Sequence, residues 1–304
     1  MRTLLLGEAL LDLVAERPAA TPSDVDALVP HPGGTGLTTA TVAATRGARV
    51  ALAGGVGDDD WGRWLRDGLE AAGVALDHFL LVPALRTPVA LVTVDGDGLP
   101  RADVRGTAVG PALVALGERV MDAVDESDAL CLSSQTLVGT AERELTLAAR
   151  DRALELGMPV VFDPALRPTR WANRARAVTE AREAVRGAFL VKVDRADARL
   201  LTGEDDPVKQ ADALLAGGAE HVVVSLGPGA GALLRGGGFH VRVPPRDVGA
   251  RVVDRTGAGD VLTGVLLAEL AQSDFYPSVL AAGLREAVAL SERALGAHGA
   301  DAWR

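Results

Sequence analysis

Short apolar runs alternate with longer amphipathic stretches through the second half of the chain. The runs ALCLSS, PVVFD, AFLVKV and HVVVSL have the length and composition of buried strands. Stretches with helical spacing, such as TAERELTLAARDRALELG, lie between them. Strands that alternate with helices in this way predict an α/β fold whose central sheet is mostly parallel, with helices crossing over its faces.

The ends of the chain show other patterns. Strands are predicted at residues 2–7, 10–16 and 49–57, with DGDG at 95–98 as a hairpin turn and a further hairpin in GALLRGGGFHVRV. Helices are predicted in LTTATVAATRG, in DDDWGRWLRDGLEAAG and, as two or three helices, from Gly257 onward. The Pro- and Gly-rich segment PHPGG at 30–34 predicts a loop. Because no linker or repeat interrupts the chain, residues 1–304 are expected to form a single domain.

Composition narrows the class of protein. The chain has 304 residues and a net charge of −10, which argues against nucleic-acid or anionic-membrane partners. The lone Cys131 lies in a predicted strand, where a small buried side chain is the usual role. The N-terminal apolar run is broken by Glu8 and Asp12 and is too short for a signal peptide or a membrane span. A cytoplasmic location is therefore expected.

The segment VDRTGAGDVLTGVL carries the most specific chemistry. Gly257, Ala258 and Gly259 precede Asp260 and a run with helical spacing, so the motif opens a helix. The free N–H groups at a helix start, approached past small residues, form an anion hole. An acid beside that hole would repel a bound phosphate, but it suits a base that deprotonates an attacking hydroxyl. The alternative is that Asp260 is a favourable first-turn acid and the glycines only shape a turn.

Four blocks in order resemble the PfkB, or ribokinase-like, family of carbohydrate kinases. DRTGAGDVLTG resembles its DTxGAGD signature, and HPGGTGLTTATVAATRGARVALAGGVGDDDWG resembles its first signature region. FDPALRPTRW resembles the DPNxRxxLW segment of fructokinases and 2-keto-3-deoxygluconate kinases, and VVVSLGPGAGALL resembles the TLGxxG nucleotide segment. The resemblance implies a three-layer α/β/α fold with a small antiparallel β lid from about residues 11–32 and 86–106. It implies ATP-dependent phosphorylation of a sugar's primary hydroxyl, with a fructose-like ketohexose or a keto-deoxy sugar acid favoured.

The same resemblance assigns roles to individual residues. Asp260 would be the catalytic base, and Gly257, Ala258 and Gly259 would form the anion hole. The expected acceptor-binding residues are Asp12, Gly33, Gly34, Thr38, Arg101 and Arg167. The expected ATP-binding residues are Lys192, Asp194, Ser225, Gly227, Gly229 and Gly231. Asp197 would hold Mg²⁺ through water, and the lid would form a homodimer contact.

Each assignment has a structural alternative. Asp12 could be a solvated strand-end residue, Arg167 a surface arginine and Lys192 an exposed strand-end lysine. Asp194 and Asp197 could be a helix cap and a solvated acid. Arg101, Asp103 and Arg105 share one face of a strand, which faces either the sugar or solvent.

The chain departs from the family pattern mainly at the expected sugar contacts. Thr38 and Ala165 stand where the family has asparagines, and Asp197 replaces a glutamate. Gly227 and Gly231 are one residue further apart than in TLGxxG, and Arg255 replaces a small polar residue. These changes leave two alternatives to the favoured substrates: a pentose or nucleoside kinase, and a sugar-binding regulator without activity. A nicotinamide dehydrogenase is disfavoured because GGTGLTT is not GxGxxG and no acid follows at the required distance.

Overall fold

A computed structural model describes residues 1–106, 110–246, 252–299 and 303. Its strands are β1 (Arg2–Leu6), β2 (Leu10–Ala15), β3 (Leu28–Gly33), β4 (Arg49–Gly57), β5 (Phe79–Val82), β6 (Val89–Val94), β7 (Pro100–Arg105), β8 (Ala129–Ser133), β9 (Val160–Asp163), β10 (Leu190–Asp194), β11 (His221–Ser225), β12 (Ala232–Gly236) and β13 (Phe239–Val243). The strands expected from apolar runs are therefore present, together with the hairpin β12–β13.

The helices lie between these strands and at the C-terminal end. They are α1 (Thr35–Thr45), α2 (Asp60–Ala71), α3 (Gly110–Leu116), α4 (Arg119–Asp125), α5 (Thr140–Glu155), α6 (Arg174–Val185), α7 (Arg195–Thr202), α8 (Pro207–Ala216), α9 (Ala258–Gln272) and α10 (Leu280–Ala294). None of the helices in the described ranges is both long and apolar enough to cross a bilayer.

Nine strands form the central sheet in the order β13-β12-β11-β10-β9-β8-β1-β4-β5. The pairs from β11 to β5 are parallel, whereas β11–β12 and β12–β13 are antiparallel. One apolar core packs α1, α2, α9 and α10 on one face of this sheet, and a second packs α3 to α8 on the other. The expected three-layer α/β/α arrangement is confirmed.

A second sheet of four strands, in the order β3-β2-β6-β7, lies within the residues expected for the lid, and we call it the lid. The outer pairs β2–β3 and β6–β7 are antiparallel, whereas the central pair β2–β6 is parallel. Its small apolar core contains Leu10, Val14, Ala90, Val92 and Val94. The hairpin turn expected at 95–98 joins β6 to β7, where Gly98 has a φ of +74°.

The prediction of a loop at PHPGG was wrong for its first four residues. Pro30 and Pro32 lie within β3, where they pair with Leu13 and Leu11 of β2. A proline has no N–H to donate, but β3 is an edge strand with one unpaired side, so it can accommodate both prolines.

Candidate active site

The candidate site lies where the parallel strands of the central sheet end. From β1, the sheet continues to β4 on one side and to β8 on the other, which makes the β1–β8 boundary a topological switch point. Open α/β sheets bind ligands in the crevice outside such a point. Glu8 follows β1, Ser133 ends β8, Asp163 ends β9 and Asp194 ends β10, so polar side chains gather at this edge.

The motif GAGD opens α9, as the sequence predicts. Gly257 precedes the helix with a φ of +72°, a left-handed conformation that glycine adopts without a Cβ penalty. Asp260 lies in the first turn and is half-buried. Upstream, the fully buried Asp254 holds the loop by accepting hydrogen bonds from Thr256 N, Thr256 Oγ1 and Gly299 N. The helix entrance is thus held in place with small residues lining it.

The electrostatic surroundings of Asp260 suit a general base. Burial and the charge of Asp163 raise the pKa of Asp260 to about 6, against the lowering effects of Lys192, Arg167 and a hydrogen bond from Thr35. A carboxylate with a raised pKa is a stronger base than one in water, yet it stays mostly ionised at neutral pH.

A buried ion pair lies directly beneath the anion hole. Lys192 is 4% exposed, and its Nζ donates a 2.9 Å hydrogen bond to Asp163 Oδ2. Thr263 Oγ1 of α9 donates to the same oxygen at 2.6 Å and to the carbonyl of Gly259 at 3.1 Å. A Cβ at Gly259 would lie only 2.8 Å from Lys192 Nζ, so the ammonium contacts the first turn of α9. Lys192 is therefore not an exposed strand-end lysine.

The lid contributes Asp12 to the opposite side of the crevice. Asp12 is 6% exposed, and burial, with the nearby charge of Glu8, raises its pKa to about 7. Asp260 and Arg167 also act on Asp12, which shows that β2, the loop after β9 and α9 converge. A Cβ at Gly33 would lie 2.2 Å from Asp12 Oδ2, and Gly34, with a φ of +99°, would clash with the carbonyl of Glu8. Both glycines are thus required by close approach.

The remaining expected acceptor contacts differ in exposure. Thr38 lies in α1 with 3% exposure, and its Oγ1 has no hydrogen-bond partner among the described residues. Arg101 is exposed on β7, opposite Thr93. Arg167 is exposed, and its side chain forms no hydrogen bond or ion pair with any residue in the described ranges, although its charge acts on both Asp12 and Asp260. The guanidinium of Arg167 is therefore an unpaired cation at the crevice, as far as the described residues show.

Asp194 and Asp197 connect the end of β10 to the loop after β9. Asp194 caps α7 by accepting a 2.7 Å hydrogen bond from Asp197 N. Asp197 is 7% exposed and accepts a 2.8 Å hydrogen bond from Leu166 N. Burial and the charge of Asp194 raise the pKa of Asp197 to about 7. One residue is thus a cap, as in the structural alternative, but the other is a buried acid rather than a solvated one.

The segment SLGPGAG forms a tight turn between β11 and β12. Gly227, Gly229 and Gly231 all have positive φ, and a Cβ at Gly231 would lie 2.1 Å from the carbonyl of Val243. Ser225 Oγ donates a 3.4 Å hydrogen bond to Val193 O, and Gly229 N donates to Glu292 at 3.0 and 3.2 Å. An open cavity of about 530 Å³ is lined by Gly229, Ala230, Arg242, Pro244 and Pro245. The cavity is large enough for a small ligand.

Sequence reasoning missed several residues of this site. Asp163 belongs to the quoted FDPALRP block, but nothing in its spacing identifies it as the partner of Lys192, which lies 29 positions away. Glu8, Gln135 and Arg170 form a second buried network: Arg170 Nη1 donates to Glu8 Oε2 at 2.7 Å and to Gln135 Oε1 at 2.5 Å. The signal that could have found Arg170 is its charge at a position where DPNxRxxLW has leucine.

Fold and site together define a phosphotransferase that uses a base at a helix entrance. The profile described as pfkB family carbohydrate kinase matches residues 2–301. Fructokinase-1 from Oryza sativa subsp. japonica is 30% identical over 270 residues, which cover 88% of this chain and 82% of the relative. This chain therefore belongs to the pfkB family of carbohydrate kinases and is a sugar kinase.

Two further comparisons also match kinases of small sugars or nucleosides. Aminoimidazole riboside kinase from Salmonella typhimurium is 28% identical over 306 residues, covering 97% of this chain and 89% of the relative. A solved fructokinase from Vibrio cholerae O395, with fructose, ADP and calcium ion bound, superposes with a TM-score of 0.82 at 26% identity. That match covers 99% of this chain and 95% of the solved one.

Proposed function

We propose that this protein is an ATP-dependent kinase that phosphorylates a primary hydroxyl of a fructose-like ketohexose. The observation that carries the proposal is the position of Asp260 in the first turn of α9. It lies beside the backbone amides of the Gly257–Gly259 segment and across the crevice from Asp12. The fructokinases among its relatives support the choice of acceptor.

In the proposed mechanism Asp12 accepts hydrogen bonds from sugar hydroxyls and orients the acceptor. The approach of the acceptor to the backbone depends on Gly33 and Gly34, which lack side chains. Asp260 removes the proton of the primary hydroxyl as its oxygen attacks the γ-phosphorus of ATP. The amides at Gly257, Ala258 and Gly259 stabilise the charge that develops on the moving phosphoryl group, and the ammonium of Lys192 lies beneath them.

The nucleotide is proposed to lie over the turn at Gly227, Gly229 and Gly231, with Ser225 beside it. The cavity at Gly229 and Ala230 supports this position. Asp194 and Asp197 fit a hard cation, because they are neighbouring carboxylates whose repulsion helps to raise the pKa of Asp197. Asp197 would hold the waters of Mg²⁺, which would supply charge neutralisation at the phosphates of ATP. With ATP as co-substrate, we propose a cytoplasmic location.

Two other acceptors are supported by particular observations. The guanidinium of Arg167, which is unpaired among the described residues, could bind a carboxylate. This favours a keto-deoxy sugar acid as the second candidate acceptor. The similarity to aminoimidazole riboside kinase supports a nucleoside as a further candidate acceptor. The intact GAGD segment argues against a regulator without activity.

The test is a phosphorylation screen with ATP and Mg²⁺ against fructose, a pentose, a keto-deoxy sugar acid and a nucleoside. We expect the highest kcat/KM with fructose. Asp260→Asn should lower kcat by several orders of magnitude, consistent with loss of a general base, while ATP binding measured by calorimetry stays nearly unchanged. A near-normal rate in this variant would remove the base assignment. A sugar that raises the melting temperature without supporting turnover would favour the regulator.

We also propose that the lid forms a homodimer contact. Arg101 is exposed on β7, one of the lid strands. Val29 on the edge strand β3 and Leu99 before β7 are exposed by 43% and 50%, which leaves apolar surface on the lid. Light scattering should give twice the chain mass of 31.3 kDa. Val29→Asp should shift the protein to the monomer if this surface is the contact, and a wild-type monomer would exclude it.

A further inference from the structure

Arg170 places a largely buried cation where the family segment DPNxRxxLW has leucine. Its side chain is 12% exposed, and its Nη1 donates hydrogen bonds to Glu8 Oε2 at 2.7 Å and Gln135 Oε1 at 2.5 Å. Gln135 Nε2 in turn donates to the carbonyl of Ala165 at 2.6 Å. The guanidinium thus ties three segments together: the residue after β1, the turn after β8 and the loop after β9.

Glu8 connects this network to the acceptor side of the crevice. Its side chain lies against Gly34, where an added Cβ would be 3.1 Å from Glu8 Cγ, and its carbonyl accepts the N–H of Leu37 at the start of α1. After burial itself, the charge of Glu8 is the largest influence that raises the pKa of Asp12. Without a counter-charge, a carboxylate with 5% exposure would act strongly on the acid that is proposed to hold the sugar.

Asp12 faces charged groups from every side. Glu8 lies on the loop before β2, Arg167 follows β9, and Asp254 and Asp260 belong to the segment that opens α9. His31 pairs with Asp12 in the register of β2 and β3. The guanidinium of Arg170 acts on Asp12 through Glu8, because its side-chain hydrogen bonds within the described residues go to Glu8 and Gln135. The backbone N–H of Arg170 donates to the carbonyl of Arg167 at 2.9 Å, a bond that a side-chain substitution leaves in place.

We propose that Arg170 is a positioning residue of the acceptor pocket: it fixes and neutralises Glu8, and thereby sets the affinity and pH dependence of sugar binding at Asp12. The inference rests on the proposed function. In this arrangement the wall formed by Glu8, Arg170 and Gln135 carries no net charge, so the acceptor that meets it is a neutral polyhydroxylated group.

The test compares Arg170→Leu with wild type, using fructose as acceptor. We expect the KM for fructose to rise about tenfold or more, as for loss of a charge-assisted hydrogen bond, while the KM for ATP stays unchanged. The acid limb of kcat/KM for fructose should move to higher pH, because the unpaired Glu8 makes Asp12 harder to ionise. Fructose binding in the absence of ATP, measured as the rise in melting temperature that fructose causes, should weaken as the KM rises.

Further variants separate positioning from a general structural role. Arg170→Lys should give an intermediate KM, because its ammonium keeps the charge that pairs with Glu8 but lacks the rigid planar geometry of the guanidinium. In the double variant Glu8→Gln/Arg170→Leu the shift of the acid limb should disappear. The matched control is Arg176→Leu, which removes an exposed arginine paired with Glu180 and should leave fructose kinetics unchanged.

An unchanged KM and pH profile in folded Arg170→Leu would overturn the inference while leaving the proposed kinase function intact. A pH shift that persists in the double variant would also overturn it, because the effect would then not pass through Glu8. Failure of the wild type to phosphorylate or bind fructose would instead overturn the proposed acceptor, and this inference with it.

Discussion

The protonation state of Asp260 should control the acid limb of the kinase rate. Burial and Asp163 raise its pKa to about 6, and the base acts only when ionised. At saturating sugar, kcat should therefore fall about tenfold per pH unit below this value and level off above it. Lys192→Met removes a cation that lowers this pKa, so the limb should move to higher pH. A wild-type kcat that stays constant well below pH 6 would contradict the assignment.

Ala165 carries backbone strain that a single substitution should relieve. Its φ of +40° is a left-handed conformation, which costs a residue with a Cβ about 1 kcal/mol but which asparagine tolerates. Ala165→Asn should raise the free energy of unfolding by up to about 1 kcal/mol and the melting temperature by about 2 °C, measured by calorimetry. Ala172→Asn, at an exposed residue of the following loop without positive φ, should give no gain. Equal effects in both variants would show that strain at Ala165 is not the cause.

At the scale of elements, β9, β10 and α9 are joined by the buried pair of Asp163 and Lys192. Removing one partner leaves an uncompensated buried charge, so Asp163→Asn or Lys192→Met should each lower the free energy of unfolding by about 3–5 kcal/mol. The double variant should lose much less than the sum, because neither charge is then left alone. Urea denaturation of the four proteins measures the coupling, and strictly additive losses would mean that the two side chains act independently.

The sequence predicted most of the central sheet because its strands are continuous apolar runs buried on both faces. The local pattern at PHPGG predicted a loop rather than the end of β3, because prolines at 30 and 32 indicate a loop, and only the edge position in the folded sheet explains them. GAGD could be placed because its chemistry is local to one helix start. The surroundings of Lys192, Asp12 and Arg170 could not be predicted. The residues that contact or act on them lie on other segments of the chain, and no local spacing in the sequence specifies which residues meet.

At the scale of the whole molecule, the lid touches the segment that opens the anion hole. Arg255 N donates to Gly98 O at 3.0 Å, and its Nε and Nη2 donate to Asp97 O at 3.2 and 2.9 Å. Gly98 lies so close to the same segment that an added Cβ would be 2.7 Å from Val252 Cγ1. The positive charge of Arg255 is thus directed to the β6–β7 turn, and it links the small sheet to the loop before Gly257.

Loosening this link should let water compete with the sugar. Arg255→Thr restores the small polar residue of the family pattern and removes both side-chain hydrogen bonds to Asp97. Because a less firmly held lid excludes water less well, we expect the KM for the sugar to rise several-fold and ATP hydrolysis without sugar to increase. A coupled assay for ADP, run with and without fructose, measures both. Arg105→Thr, which alters an exposed lid arginine paired with Asp103 on its own strand, should change neither value. An Arg255→Thr enzyme with wild-type KM and background hydrolysis would show that the contact does not control closure.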